Sequence, residues 1–484
     1  MPPYETAATK VSISSSSAPL SPNMSNSSQA QHRRSKAVFA HYMVGTVDVD
    51  HAQTDVDDAV AMGFDGFALN IGDPTQPFVS KTLDILFNYT SFRYPRFKLF
   101  VSMDVSASLA SGKGPNDYVS LLERYLGHDV WYKGPNGFPL VSTYSDGGLT
   151  SDQWDNFKQS LSKNIYFVPD FDGTQGYYQA DPGWWAYWGN TVDGLFSWES
   201  AWPSLAGLGG LYPGDISPDL TVINGTASRN KTYMMPLSAL QYKNSYGANV
   251  YRGGELNLPR RMAKILHMSP QPEFVEVISW VRRRRSLLEC PKSNHWKQND
   301  GPESHYIGNI WPEQNTDSQP ALYATQATAP HNGWGGLIRS FIHAFKTGSL
   351  ASGMTTPGVA EGVMWYKTIL QNATCPDEKP ALFNTSKDQL NWAVVANQEG
   401  LTLQGISNGT AIGTIFLSPG LNYGAFIGIQ PGPQSMILRA ADGTTKLVAA
   451  GGRCISAGCP DSIYNMNPQV VPLTAHPSYR ATEC

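Results

Sequence analysis

Charge is what this sequence has least of: only 15% of its 484 residues are Asp, Glu, Lys or Arg, with 35 cations against 39 acids. A weakly charged, slightly acidic chain is not built to track a nucleic-acid backbone, which calls for a basic stripe. Long apolar runs are missing too, and none approaches the ~18 residues that a membrane-spanning helix requires. Metal and nucleotide motifs are equally scarce. His-Glu-x-x-His and Cys-x-x-Cys do not occur, the ten histidines are scattered, and no Gly-x-Gly-x-x-Gly follows the first strand-like run. Neither a metal nor a cofactor is expected. One Gly-x-Ser-x-Gly occurs, Gly405–Gly409, but no helical pattern follows it, so it reads as a turn and not as a nucleophile elbow.

What the chain does have is rings and glycine: 13 Trp, 23 Tyr and 19 Phe beside 45 Gly. Such a mix suits flat apolar faces meeting a polar ligand, as in sugar binding. The length allows about three domains of ~150 residues, or one large barrel with an accessory domain. Residues 1–35, with Ser14–Ser17, scattered Pro and His32-Arg33-Arg34, contain no apolar period that could bury a face. This stretch is expected to be a disordered Ser-rich tail, and it has neither the basic start nor the apolar core of an export signal. Asn-x-Ser/Thr acceptors at Asn88, Asn224, Asn230, Asn372, Asn384 and Asn408 nonetheless suit a glycosylated, secreted chain.

Eight short β-rich runs recur between residues 36 and 280: Lys36–Met43, Phe64–Ile71, Lys98–Val105, Phe138–Tyr144, Ile165–Phe171, Gly194–Trp198, Thr232–Ser238 and Phe274–Trp280. Most are continuously apolar, as strands buried on both faces are, and the gaps between them fit crossover helices such as Thr54–Met62 and a Ser151-capped Ser151–Ser162. The repeat predicts an α/β (β/α)8 TIM barrel over residues 36–348. Function in such a barrel sits at the C-terminal strand ends. Those ends turn polar here, at His41-Tyr42, Asn70, Asp104, Tyr144-Ser145, Asp170, Asp172, Trp198-Glu199 and Ser238. Acids that move protons, amides that hold hydroxyls and rings that stack on pyranose faces together suit a carbohydrate hydrolase. Asp172 with Glu199 is one candidate acid pair, and Trp184, Trp185, Trp188 and Trp202 are candidate stacking rings.

After the eighth strand, Val281–Gln298 breaks the pattern, with six cationic side chains against one anionic in 18 residues. A block so unlike its surroundings, placed at a buried strand end, conflicts with the consistency of a foldable sequence. Every Val codon begins GT, a Gln codon can end AG and the block is a whole number of codons, which is the pattern of a retained intron. The alternative is a genuine basic loop, whose closure entropy grows only slowly with length. Without Cys290 the cysteines number four, an even set suited to disulfides.

Joining Ile278-Ser279-Trp280 to Asn299-Asp300-Gly301-Pro302-Glu303-Ser304-His305-Tyr306-Ile307-Gly308 yields a run that resembles the strand-eight signature of glycoside hydrolase family 71, the fungal α-1,3-glucanases or mutanases. Phe39–Gly45, Gly63–Asn70, Pro139–Thr143, Tyr233–Pro236 and Pro272–Glu276 resemble the same family's strand motifs in the same order, so the likeness covers roughly residues 36–480. The resemblance implies a TIM barrel that hydrolyses the α-1,3-glucan of fungal walls by inversion, without metal. It places the catalytic pair at Asp300 and Glu303, with Glu303 as acid and Asp300 as base. Further contacts with glucan fall to His41, Tyr42, Asn70, Asp104, Asp170, Asp172, Trp198, Glu199, Trp202, His305 and Tyr306. The expected partner is the polysaccharide, with no nucleic acid or membrane, and the expected state is a monomer that is secreted or wall-bound. Two departures stand out: Gly301-Pro302 replaces an aromatic and Gly, and the Trp common after Met234-Met235-Pro236 is absent. Pro302 fixes φ and redirects the chain between the two acids.

From residue 349 helix formers thin out. Runs at Asn391–Ala396, Leu401–Ile406, Gly413–Leu417, Asn422–Ile429, Ser435–Arg439 and Lys446–Ala449, with Gly- and Pro-rich turns, predict a β-sandwich accessory domain over 349–484. Cys454 and Cys459, five apart, are expected to form a local disulfide. A wall-associated glucan-binding protein without turnover is the alternative to an enzyme, and a β-glucan or starch hydrolase is the alternative substrate class.

Overall fold

Eight parallel strands form the central sheet of the computed structural model, which describes residues 36–205, 207–245, 247–280, 304–315 and 327–475. They are β1 (Ala37–Met43), β2 (Gly66–Ile71), β3 (Lys98–Asp104), β4 (Leu140–Tyr144), β5 (Tyr166–Pro169), β6 (Gly194–Phe196), β7 (Thr232–Leu237) and, after a hairpin of β8 (Gln241–Ser245) and β9 (Ala248–Arg252), β10 (Phe274–Val277). The hydrogen-bonded order is β5-β4-β3-β2-β1-β10-β7-β6, and a parallel bridge from Asp170 to Phe196 brings β5 beside β6. This is the (β/α)8 barrel that the eight apolar runs predict, with every expected strand present.

Period-two alternation divides each strand between barrel interior and helical layer. Phe39, Phe100 and Phe274 meet at the N-terminal end of the interior, with Phe39–Phe100 centroids 4.9 Å apart in an edge-to-face contact. Two residues further along each strand the interior turns polar. The register places Phe39 beside Glu276, His41 beside Ala68, and Asn70 beside Ser102 and then Ser142. On the outer face, Phe67, Tyr42 and Trp280 pack together below the helix Val49–Ala61. The helix Ser151–Gln159 is capped one residue earlier than expected, by Thr150. Thr150 Oγ1 accepts from the Gln153 backbone N–H and Gln153 Oε1 accepts from that of Thr150, a reciprocal box that Ser151 cannot make.

The C-terminal region holds two antiparallel four-stranded sheets. One has the order β15 (Gly420–Ile427), β12 (Gln389–Ala396), β11 (Ala360–Lys367), β18 (Pro468–Pro472). The other has the order β14 (Thr410–Leu417), β13 (Leu401–Ser407), β16 (Gln434–Arg439), β17 (Thr445–Ala450). Strands β11 and β12 are buried on both faces: Val363, Trp365, Ala393 and Val395 join the barrel's core, whereas Met364, Tyr366, Trp392 and Val394 join the core between the sheets. That double burial belongs to one compact unit, Ser35–Cys484. Gly405–Gly409 runs from the end of β13 into the β13–β14 turn, where Asn408 and Gly409 both have positive φ, as a turn requires. The cysteine expectation is corrected. Cys459 pairs with Cys375, 84 residues away, with Cα atoms 5.3 Å apart, and Cys454 takes part in a separate disulfide. Proximity along the chain lost to proximity in the fold, as loop-closure entropy permits.

Candidate active site

Two polar groups occupy the C-terminal mouth of the barrel. The first lies on β10, β1, β2 and β3, which are consecutive in the sheet. His41 and Glu276 are fully buried, and the His41 Nδ1 lies 2.5 Å from Glu276 Oε1. A carboxylate at that position accepts the Nδ1–H and fixes the ring so that Nε2 points away from Glu276. Among the described residues, His41 Nε2, Glu276 Oε2, both amide atoms of Asn70 and the Ser102 hydroxyl have no hydrogen-bond partner. An unpaired buried polar atom costs ~1–3 kcal/mol, so four such residues on four neighbouring strands call for a reason.

The second group is at the ends of β5 and β6. Strand β5 stops at Pro169, and a tight turn follows in which the Asp172 N–H donates to Asp170 Oδ1 at 3.2 Å. Asp172 Oδ2 accepts from the backbone N–H groups of Trp198 and Glu199, at 2.9 and 2.8 Å, and from the Tyr178 hydroxyl at 2.8 Å. Glu199 forms a buried ion pair with Arg252, 2.8 Å. Arg252, at the end of β9, also donates to Gln241 Oε1 and the Pro203 carbonyl, and its guanidinium lies 5.2 Å from the Trp202 ring centroid. Burial first, and then the charge of Glu199, raises Asp172 to about 6. Burial and the neighbouring Asp172 push Asp170 well above the ordinary carboxylate range.

Trp198 joins the two groups. Its ring stands edge-on to His41 (4.9 Å), Tyr144 (5.0 Å), Trp202 (5.9 Å) and His305 (5.9 Å). His305 arrives from beyond β10. The Ser279 N–H donates to the His305 carbonyl, the Ile307 N–H to that of Ser279 and the Gly308 N–H to that of Trp280, while Ser279 Oγ and His305 Nδ1 are 2.9 Å apart. A Cβ on residue 308 would lie 2.7 Å from the Trp280 carbonyl oxygen, so glycine is required for this close approach.

The structure thus gathers His41, Asn70, Asp170, Asp172, Trp198, Glu199, Trp202 and His305 at one mouth. Asp104, also buried, caps the helix Val105–Ala110 by accepting from the Ala107 N–H. Tyr42 points out of the barrel and donates to Asp55, as period two demands of a residue beside inward-facing His41. Tyr306 stacks on His331 at 4.0 Å and reaches the Ala329 carbonyl, so it packs under the C-terminal region. Trp184, Trp185 and Trp188 are buried in helix packing. Asp300, Gly301, Pro302, Glu303 and the block Val281–Gln298 lie outside the described residues. Sequence reasoning missed Glu276, Gln241 and Arg252. An acid inside the apolar run Phe274–Val277, at an inward position, was a readable signal; the hairpin that carries the other two, with its mixed polar strands, offered none. One further group, Asp48, His51 and Glu313, brings potential metal-ligand atoms within 4.8 Å of one another, but His51 Nδ1 and the Asp48 N–H are already directed at Glu313 Oε1.

A (β/α)8 barrel whose mouth gathers buried carboxylates, an amide and indole rings has the make-up of a carbohydrate-active hydrolase. The chain belongs to glycosyl hydrolase family 71, whose model matches residues 34–482. It is similar to the mutanase Pc12g07500 of Penicillium rubens, 29% identical over 451 residues that cover 89% of this chain and 87% of the relative. It is also similar to two Schizosaccharomyces pombe proteins. The glucan endo-1,3-alpha-glucosidase agn1 is 28% identical, with 65% of this chain and 66% of the relative covered. The ascus wall endo-1,3-alpha-glucanase is 23% identical, with 80% and 84% covered.

Proposed function

We propose that this protein hydrolyses α-1,3-glucan with Asp300 and Glu303 as its two catalytic carboxyl groups, and that it acts outside the cell on fungal wall polymer. The observation that carries this reading is the pairing of Ser279-Trp280 with His305–Gly308 at the barrel mouth. The Ser304 N–H donates to the Tyr242 carbonyl at 2.9 Å. The motif that resembles the family signature is therefore anchored at both of its ends to the mouth.

Inverting hydrolysis needs one carboxylic acid to protonate the leaving oxygen and one carboxylate to activate water on the opposite face, with the carboxyls ~6.5–9.5 Å apart. Glu303 takes the acid role and Asp300 the base. The unpartnered atoms of His41, Asn70, Ser102 and Glu276 offer acceptors and donors to the hydroxyls of one glucosyl unit, and Trp198 offers an apolar ring. The fully engaged Asp172, held by three donors, orders the turn that carries Trp198 and Glu199. The test is reducing-sugar release from insoluble α-1,3-glucan, with laminarin and amylose as competing polymers and a pull-down on each. Release from α-1,3-glucan alone is expected. Binding without release would leave a glucan-binding protein, and release from laminarin or amylose would move the substrate class. Proton NMR of the first product is expected to show the β-anomer.

A further inference from the structure

Between Glu399 and Arg439 the chain carries no Asp, Glu, Lys, Arg or His, a run of 39 residues in a protein that is 15% charged on average. The run is not hidden. It forms β13, β14, β15 and most of β16, and within β14, an edge strand, only Leu417 is buried. Edge strands of soluble proteins commonly carry Lys or another charge that discourages association. This one carries none, and it leaves Phe416 80% exposed.

Period two sorts the second sheet into two faces. Leu401, Leu403, Met436, Leu438 and Ala449 point into the core between the sheets. The alternate residues therefore form the outer face, on the side of the sandwich away from the barrel. Register aligns them in rows across the strands: Phe416 beside Thr402 and Arg439, then Thr414 beside Gln404, Ile437 and Val448. Each row mixes an apolar surface with hydroxyl or amide groups. The one cation, Arg439, stands at the border of the face and donates to Gln404 Oε1 at 3.1 Å.

We propose that this outer face is a second glucan-binding surface, separate from the barrel mouth, that adsorbs the protein onto insoluble neutral polysaccharide. The proposal rests on the reading that α-1,3-glucan is the substrate. A glucan chain offers C–H faces and hydroxyls but no charge, so rings and aliphatic groups can pack on it and Thr and Gln can exchange hydrogen bonds with it. Any charge pressed against such a polymer would lose water and gain no counter-charge, a cost that a charge-free face avoids. A nucleic acid would call for a basic face, and a protein partner for a polar rim around an apolar centre. With two sites on one chain, adsorption through the sheet raises the effective concentration of polymer at the mouth.

The test uses the full chain, suspended insoluble α-1,3-glucan for adsorption isotherms, and soluble α-1,3-linked oligosaccharide for kcat and KM. Phe416→Ala is expected to weaken adsorption about fivefold, through loss of its ring. Thr414→Glu sets a charge within the face and is expected to weaken adsorption about tenfold. Both side chains are exposed, so the melting temperature should stay within about 2 °C of wild type. On the soluble oligosaccharide both variants are expected to keep kcat and KM within about twofold, while the rate on dilute suspended glucan falls with adsorption. Unchanged adsorption in both variants overturns the proposal. So does adsorption of the unsubstituted chain that falls more than about tenfold between about 50 and 500 mM NaCl, the mark of a charged contact. A dimer in sedimentation velocity that Thr414→Glu splits would give the face to a second copy of the chain and overturn the glucan site. An unsubstituted chain that adsorbs through Phe416 but releases no sugar would overturn the hydrolytic reading while upholding the adsorbing face.

Discussion

The two sides of the barrel mouth are built on opposite principles. On the β5–β6 side, Asp172 and Glu199 are closed in by named partners: three donors on one oxygen of Asp172, and a guanidinium against Glu199. On the β10–β1–β2–β3 side, His41, Glu276, Asn70 and Ser102 each keep an unpartnered atom. A self-satisfied network organises loops, whereas a row of unsatisfied groups is poised for hydroxyls that come from elsewhere. Under the function proposed above, the first side is structural and the second recognises sugar, with Asp300 and Glu303 as the proposed catalytic pair.

The largest effect should come from the proposed catalytic pair. Asp300→Asn is expected to lower kcat on α-1,3-glucan about a thousandfold, with the melting temperature within about 2 °C of wild type, because the loss of a catalytic carboxylate is felt in the rate. Next comes the self-satisfied side. Arg252→Ala leaves Glu199 buried without its cation and is expected to cost about 3–5 kcal/mol in urea denaturation; a Glu199→Gln, Arg252→Met double replacement should cost less than Arg252→Ala alone. Equal costs would mean that the pair is not coupled. On the open side, Glu276→Gln is expected to leave stability within about 1–2 kcal/mol but to weaken binding of α-1,3-linked oligosaccharide about tenfold by calorimetry, since a neutral amide holds His41 and a sugar hydroxyl less strongly than a carboxylate does. A stability loss without an affinity loss would transfer that side to the structural class.

The smallest effect is that of pH on stability. Burial raises Asp55 to about 7 and Asp172 to about 6, both above the ordinary carboxylate value near 3.8. Across that interval the folded protein holds protons that the unfolded chain has released, so stability falls as pH rises. The melting temperature is expected to drop by about 2–5 °C between pH 5 and pH 7.5. A rise over the same range would contradict the burial of these groups.

The barrel was legible because its strands are buried on both faces and read as unbroken apolar runs, from Ala37–Met43 to Phe274–Val277. The hairpin Gln241–Arg252 was not, because Lys243 and Asn244 interrupt its pattern and its role depends on a salt bridge across 53 residues. Strand β11 carries large side chains on both faces, and its place between two cores cannot be inferred without knowing what packs on each. In the site, strand-end position found His41, Asn70, Asp170, Asp172 and Trp198, while period two would have excluded Tyr42 had it been applied residue by residue. Asp55 was not singled out, since two of its partners, Asn309 and Trp311, lie some 250 residues away and local sequence carries no trace of them. Asp300 and Glu303 rest on a resemblance, and no spacing rule would have singled them out.

The most direct comparison sets Glu303→Gln beside Asp172→Asn in one assay of initial reducing-sugar release from insoluble α-1,3-glucan. The expected result is a loss of about a thousandfold for Glu303→Gln and less than about tenfold for Asp172→Asn. Near-wild-type turnover in Glu303→Gln together with collapse in Asp172→Asn would move catalysis to the β5–β6 side and contradict the central claim.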